Sequence, residues 1–421
     1  MRVLHLGSLY PPYVLGGAER VVELLAEGMA ARGIDTAVAH LAPCPTPHTR
    51  RNGVAVHPLR HRNPLWIERS ALYSAPTRHL NKLATLFNFM TRRDFQTLLA
   101  AYSPDIVHSH SMVELTPSMW DAAKAAGARV VHTLHDYDLL CIRGALFKDG
   151  RHCRPAHTAC SVFSALKRRH HRHIDHVVGV SRSILETHLE RGFFQDLPPA
   201  NRHVVWNPVR SGAAHASEPR AHADSAGANA GALESPLTFG FLGRLVPEKG
   251  IDLLLEACRT LPRTGWRLRV AGRAPTGDAA LREQANGLAV EFVGFVDPRE
   301  FLRGIDVLIV PSVWDEPFGL TVIEAYAAGV RVLGADSGGI AEIIGAADPQ
   351  WLVPRSDAEA LSARMRELIE QGRHGLGPPP DFTGVLRRTF PDHAVDQYLH
   401  IYRAALCRPP AQVPDEVSLA N

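Results

Sequence analysis

Residues 315–325 read D-E-P-F-G-L-T-V-I-E-A, and this stretch decides the fold. Ahead of it, 307–310 is a continuous apolar run (V-L-I-V) of the kind a strand buried on both faces needs. Pro311, Ser312 and Trp314 fill a turn. Past Pro317 the apolar residues recur at spacings of three and four (Leu320, Ile323, Ala327), a helical period. Strand, loop and helix therefore follow in order, with the helix expected to open near Phe318. The N–H groups of Phe318, Gly319 and Leu320 then have no acceptor within the helix and sit at the positive end of its dipole. Gly319 allows close approach to the backbone, so this is an anion site. Glu316 precedes it and Glu324 lies inside the helix, so two carboxylates flank the anion site. Sugar hydroxyls donate well to carboxylates, and a nucleotide sugar carries hydroxyls on both sides of a diphosphate.

Outward from there, short apolar strands alternate with helical stretches along the whole chain. Strands are expected at 3–6, 37–40, 54–58, 106–108, 129–133, 176–180 and 203–206, and again at 238–242, 266–271, 290–293, 307–310 and 330–334. That alternation defines an α/β protein with parallel sheets built from βαβ units. Between the two sets, 211–235 holds almost no large apolar residue and cannot build a core. The expected division is a Rossmann-like half at 1–209, a flexible linker at 210–236, a second Rossmann-like half at 237–389, and a helix with a frayed tail at 390–421. Two such halves bind their ligand in the cleft between them, at the carboxyl ends of the strands.

Composition narrows the class. The chain has 421 residues, is 45% hydrophobic and carries six cysteines without regular spacing, which points to a reducing compartment and no disulfide framework. No apolar run reaches 18 residues, and the start, M-R-V-L-H-L-G-S, reads as a first strand and not as a signal peptide. The expected location is the cytoplasm, with the inner face of the plasma membrane as an extension. Net charge is +3 but uneven: residues 1–209 hold 25 Lys+Arg against 16 Asp+Glu, and the remainder holds 21 against 27. The basic first half suits a phosphate-bearing acceptor or an anionic membrane surface, or is a solvated arginine-rich face. It lacks aromatic interleaving and any nucleic-acid motif, so nucleic acid is not an expected partner. K-R-R-H-H-R-H at 167–173 reads as a basic helix start that is either solvated or in contact with a membrane.

Several other strand ends carry candidate residues. Gly16-Gly17 precedes a helix and could seat a phosphate or a sugar hydroxyl, or form a tight turn only. The spacing matches neither G-x-G-x-x-G nor a P-loop. His135, in H-D-Y after strand 129–133, can donate to a sugar hydroxyl; His108 and His110 are weaker candidates. G-R-L-V-P-E-K-G opens the second half, and Lys249 is the one lysine after residue 210. A point charge beside the guanidinium of Arg244 suits two different oxygens of a diphosphate. Gly243, Phe295 and the turn Ser337-Gly338-Gly339 could meet a base or ribose, or be plain loops. Cys141, Cys153 and Cys160 are spaced x11 and x6 without a C-x2-C pair, so no metal is expected and these three are the zinc candidate.

These stretches together (G-G-A-E, H-D-Y, G-R-L-x3-K-G and E-P-F-G-L-x3-E, in that order) resemble the retaining glycosyltransferases of family four, which have the GT-B fold. Glycogen-synthase-like enzymes share part of the pattern. The resemblance covers the whole chain. It implies metal-independent, hexosyl-type transfer with retained anomeric configuration, no cofactor, and a UDP- or GDP-linked sugar as donor. The acceptor would be a glycan, a lipid-linked or a small molecule, in bacterial cell-surface polysaccharide synthesis. It implies that Arg244 and Lys249 hold the diphosphate, Glu316 and the N–H groups of Phe318, Gly319 and Leu320 meet sugar and phosphates, and Glu324 binds the ribose. His135 would approach the donor sugar and the Gly16-Gly17 loop the phosphate and acceptor. Two other classes stay open: a glycoside phosphorylase of the same fold, which would release sugar phosphate, and a nucleotide-sugar-binding protein without turnover.

Overall fold

A computed structural model describes residues 1–44, 47–66, 73–148, 150–153, 156–210, 236–275 and 277–407. The expected linker falls almost wholly outside the described residues, as does the tail beyond 407.

The first half is an eight-stranded sheet built on β1 (Arg2–Gly7), β2 (Asp35–Ala42), β3 (Thr49–Arg51), β4 (Val54–Arg60), β5 (Ile106–His110) and β6 (Arg129–Leu134). An antiparallel pair, β7 (Phe147–Lys148) and β8 (Arg151–His152), stands outside it, and β9 (His176–Gly179) and β10 (Arg202–Val204) complete it in the order β10-β9-β6-β5-β1-β2-β4-β3. Every neighbouring pair is parallel except β3 with β4. The second half is a six-stranded, all-parallel sheet of β11 (Leu237–Leu242), β12 (Trp266–Ala271), β13 (Val290–Gly294), β14 (Val307–Val310), β15 (Arg331–Ala335) and β16 (Leu352–Val353), ordered β13-β12-β11-β14-β15-β16. Helices cover both sheets: α1 (Gly17–Ala31), α2 (Ala75–Leu86), α3 (Phe89–Tyr102), α4 (Ser118–Ala125), α5 (Thr158–His171) and α6 (Arg182–Glu190) in the first half. In the second are α7 (Ile251–Cys258), α8 (Ala279–Gln284), α9 (Pro298–Arg303), α10 (Leu320–Ala327), α11 (Gly338–Ala347), α12 (Ala358–Gly375) and α13 (Thr383–Arg387), followed by α14 (Pro391–Cys407). The two parallel sheets are those the strand–helix alternation predicts; the short edges β3 and β16 and helix α2 were not foreseen.

Helix α14 belongs to the second half in sequence and to the first in packing. Ala394, Val395, Tyr398, Leu399, Ile401, Tyr402 and Ala405 repeat at helical spacing and are buried against Val21, Leu25 and Met29 of α1 and Val3, Ile106 and Val131 of the sheet. Gly28 makes room for it, since a Cβ there would lie 2.8 Å from Val395 Cγ2. The chain thus crosses between the halves twice, and Val209 N–H donates to Thr389 C=O (2.9 Å) where the two crossings meet.

Candidate functional site

In the second sheet, β13, β12 and β11 end side by side in glycines. Gly272 (φ +147°) lies so close to its neighbour that a Cβ would overlap Gly243 O, and its N–H donates to Gly294 O at 2.7 Å. Only glycine fits there. The residues that follow each glycine, Arg244, Arg273 and Phe295, therefore stand in a row. Phe295 is 73% exposed and its ring is stacked by the Arg273 guanidinium, 4.6 Å from the centroid, a flat platform of the sort a base can cover. Arg244 is exposed, and no described residue pairs with its guanidinium.

Between β11 and α7 the chain makes a single 3-10 turn, residues 247–249, ending in Gly250 (φ +74°), where a Cβ would overlap Pro311 O at the end of β14. Val313 N–H donates to Glu248 O (3.1 Å). This contact delivers Lys249 to Glu316: its ammonium pairs directly with one carboxylate oxygen, while Ser312 Oγ donates to the other at 3.0 Å. Glu316 is buried and Lys249 half-buried, so the ammonium side of the pair still meets solvent.

The helix after this loop starts at Leu320, with Gly319 as its N-cap at φ +123°, two residues later than expected. The reason is packing: Phe318 is buried against Trp206 (ring centroids 5.9 Å apart), which fixes the chain in a non-helical path until Gly319. Val322 N–H is taken by Gly319 O, but the N–H groups of Phe318, Gly319, Leu320 and Thr321 meet no acceptor among the described residues. Four consecutive free donors at a helix start form an anion cradle. One turn further on, burial pushes the Glu324 carboxyl up to about 7, opposed only by Arg299. It has no hydrogen-bond partner among the described residues.

The Ser337-Gly338-Gly339 turn, read as a contact for base or ribose or as a plain loop, braces this loop. Gly339 N–H donates to Glu316 O (2.7 Å), Ser337 Oγ donates to Trp314 O, and Gly338 (φ +52°) is so close that a Cβ would lie 2.7 Å from Glu316 N. Gly338→Ala is therefore expected to cost about 1–3 kcal/mol and to lower Tm by about 5 °C. An unchanged melting curve would show that the loop is not braced there.

From the first half, Gly17 opens α1 directly opposite Leu320, and a Cβ on Gly17 would overlap the Leu320 side chain. The two helix starts thus meet across the seam, with Gly16 held by its N–H donating to Glu19 Oε2 (2.9 Å). Tyr137 OH donates to Asp315 O (2.9 Å), and His152 reaches Val313 O (3.1 Å) and the Asp315 carboxylate (3.4 Å). H-D-Y and the loop before Glu316 are in this way tied together.

His135, just past β6, is buried, and this holds its imidazole down at about 4. Its Nε2 lies 3.1 Å from His110 Nδ1, and His110 Nε2 lies 3.0 Å from His5 Nδ1. His108 bridges Tyr402 OH (2.6 Å) and Thr133 Oγ1 (2.7 Å), linking the cluster to α14. Burial lowers all four imidazoles, so each is neutral with one N–H, and the tautomer of His135 is coupled to those of His110 and His5. His5 was missed by sequence reasoning; its pairing opposite His108 depends on the β1–β5 register. His5, His108 and His110 are the one group of described His, Cys or acidic side chains whose ligand atoms all lie within 4.8 Å of one another. Both His108 nitrogens and both His110 nitrogens are already hydrogen-bonded, so the cluster is a proton-sharing chain and not an open metal site.

The cysteines behave differently from a ligand set. The Cys160 thiol hydrogen-bonds Cys141, and burial raises both Cys153 and Cys160. The three sulfurs do not form a set within 4.8 Å, and His152 is engaged with Val313 and Asp315. The basic run 167–173 needs correction: it is the last turn of α5, not a helix start. Lys167 is buried on Asp138 (2.8 Å) and His170 bonds Asp121, while Arg168, Arg169 and Arg172 are exposed. Asp138 is held at about 2, chiefly by Lys167 against the opposing effect of burial; Asp136 is pushed well above the usual carboxylate range by burial and by Asp138. These two acids line a cavity of about 160 Å³ with Lys82, Arg143 and Lys167, and Arg143 reaches toward Glu248 (3.9 Å), next to Lys249. A larger cavity of about 320 Å³ lies at the seam between α6 and α11, lined by Arg182, Glu186, Asp315 and Glu342, and holds none of the candidate donor residues.

Two doubly wound halves with their strand ends facing across a cleft define the GT-B fold class. The chain belongs to the group 1 glycosyltransferases: residues 236–371 match the family described as "Glycosyl transferases group 1" and 16–208 match the "Glycosyl transferase 4-like domain". It is 30% identical over 344 residues to a 42.6 kDa protein of the Klebsiella pneumoniae cps region, covering 82% of this chain and 87% of that one. It is 27% identical over 398 residues to the glycogen synthase of Mycobacterium tuberculosis, covering 88% and 86%. In structure it is similar to Anabaena Alr3699/HepE solved with UDP, at a TM-score of 0.67 and 17% identity over 96% of this chain and 100% of that one. No helix among the described residues is long and apolar enough to cross a membrane.

Proposed function

We propose that this glycosyltransferase moves a sugar, with retention, from a UDP- or GDP-linked donor to a hydroxyl of a glycan or lipid-linked acceptor, without a metal, at the cytoplasmic face in cell-surface polysaccharide synthesis. The observation that carries the reading is the pairing of Lys249 with Glu316 beside four free N–H groups and the unpaired Arg244. Breaking the bond from the sugar C1 to the diphosphate leaves negative charge on the leaving oxygen. Lys249, Arg244 and the cradle at 318–321 stabilise that charge. Glu316 and Glu324 accept hydroxyls of the sugar and of the ribose on either side. With Glu316 and Glu324 both assigned to hydroxyls, the step is same-face attack: the acceptor oxygen bonds C1 as the C1–O bond breaks, and its proton passes to the departing phosphate oxygen. The UDP carried by Alr3699/HepE and the cps-region origin of the Klebsiella relative support the donor and the pathway.

The test is a thermal-shift screen of UDP-, GDP- and ADP-sugars against the bare nucleotides, followed by transfer with and without EDTA and NMR of the product's anomeric proton. Stabilisation by one donor series, EDTA-insensitive transfer and a retained anomer are expected. An inverted product sinks the mechanism, and phosphate-dependent release of sugar phosphate would establish the phosphorylase instead.

A further inference from the structure

Helix α2 is amphipathic the wrong way round for a helix that closes on a core. Its inward face is largely polar: Asn81 accepts from Leu65 N–H (3.0 Å), Lys82 pairs with Glu114 (2.9 Å), and Thr85 is buried, with Leu86 the buried apolar residue beside it. Its outward face is apolar. Leu80 is 63% exposed, Leu83 48% and Phe87 56%, at spacings of three and four, and the turn into α3 adds Phe89 (66%) and Met90 (59%). No other stretch of the described chain exposes more than one large apolar side chain in a span of this length. Such a patch on a protein surface marks a docking site.

We propose that this face, Leu80, Leu83, Phe87, Phe89 and Met90, docks into the surface of an anionic lipid bilayer. Charge selects that occupant. The exposed cations next to the patch in sequence are Arg78 and Arg93; Lys82 is paired inward with Glu114, and the next acid along the chain, Asp94, is paired with Arg62. Apolar side chains flanked by two exposed arginines suit a bilayer interface with anionic headgroups, and a neutral protein partner would leave those cations unmatched. The inner face of the same helix contributes Lys82 to the cavity that holds Asp136 and Asp138. Docking would thus hold that cavity one helix away from the membrane surface at which the headgroup of a lipid-linked acceptor is presented. The last step rests on the transferase reading; the docking does not.

Sedimentation of the full chain with phosphatidylglycerol–phosphatidylcholine vesicles tests it. Wild type should bind these vesicles, bind pure phosphatidylcholine less, and dissociate as salt rises. Replacing Leu83→Glu, Phe87→Glu and Phe89→Glu together should weaken vesicle binding by about tenfold or more, with the donor-induced thermal shift unchanged as the sign of an intact fold and donor site. Wild type remaining in the supernatant, or a triple variant that sediments as well as wild type, overturns the proposal, while transfer to a soluble acceptor would leave the transferase reading standing. A dimer in sedimentation velocity that the triple variant abolishes, without vesicle binding, would assign the face to a second copy and overturn it equally.

Discussion

Replacing Lys249 by alanine is expected to lower kcat about 10²- to 10³-fold, the usual loss when one preorganised charge that meets a developing anion is removed. The ammonium reaches its place through backbone contacts that alanine leaves intact: Gly250 against Pro311 and Val313 N–H on Glu248 O. Side-chain exposures of 21% for Lys249 and 10% for Glu316 keep the pair within reach of solvent, and Ser312 still donates to the stranded carboxylate. The stability cost should therefore be only about 1–2 kcal/mol, too little to unfold the protein at assay temperature. Turnover and melting temperature measured on the same preparation separate the two effects. Turnover within a few-fold of wild type would remove Lys249 from the diphosphate, and a loss that tracks unfolding would make the pair structural.

What the chain disclosed of this site, and what it withheld, follows from the range of the interactions. The strand ends at Gly243 and Gly294 and the E-P-F-G-L-x3-E stretch are local: an apolar run, a glycine and a charged residue lie within a few positions, so periodicity and residue chemistry suffice. Even there the helix start moved from Phe318 to Leu320, because burial of Phe318 against Trp206 is a contact between residues more than a hundred positions apart. The role of Gly338-Gly339 was hidden for the same reason. Their sequence says only that a turn precedes a helix, whereas the atoms they make room for belong to residues 315–318. The imidazole chain is less legible still, since His5 and His110 come from β1 and β5 and His135 from the residue after β6, brought together by the order and register of three strands. In α2 the sequence shows an apolar face but not its direction. Glu114, from another part of the first half, turns the polar face inward.

Donor affinity is expected to rise about tenfold between roughly pH 6 and 8, and the rise should vanish in Glu324→Ala. Burial, opposed only by Arg299, raises the free Glu324 carboxyl to about 7. A ribose diol offers two O–H donors, which favour the ionised carboxylate, so binding lowers this pKa and releases a proton. Affinity then increases as pH climbs through about 7 and levels off above it. The sign for the folding equilibrium is opposite. The native state holds a proton on Glu324 that the unfolded chain, titrating near 4.5, has already lost, so this group's contribution to stability declines from about pH 4.5 to 7. A ligand-free melting temperature that drifts down while affinity climbs is a pairing that a general pH effect on the fold would not give. Near pH 8, Glu324→Ala should weaken a nucleoside diphosphate about 10²-fold, as two charge-assisted hydrogen bonds are lost. The 2′-deoxy analogue should bind wild type more weakly but the variant no more weakly than the ribose form. Calorimetry in buffers of different ionisation enthalpy reads the released proton directly. If wild type releases none, or the variant still distinguishes ribose from deoxyribose, Glu324 does not hold the ribose and the donor lies elsewhere along the strand ends.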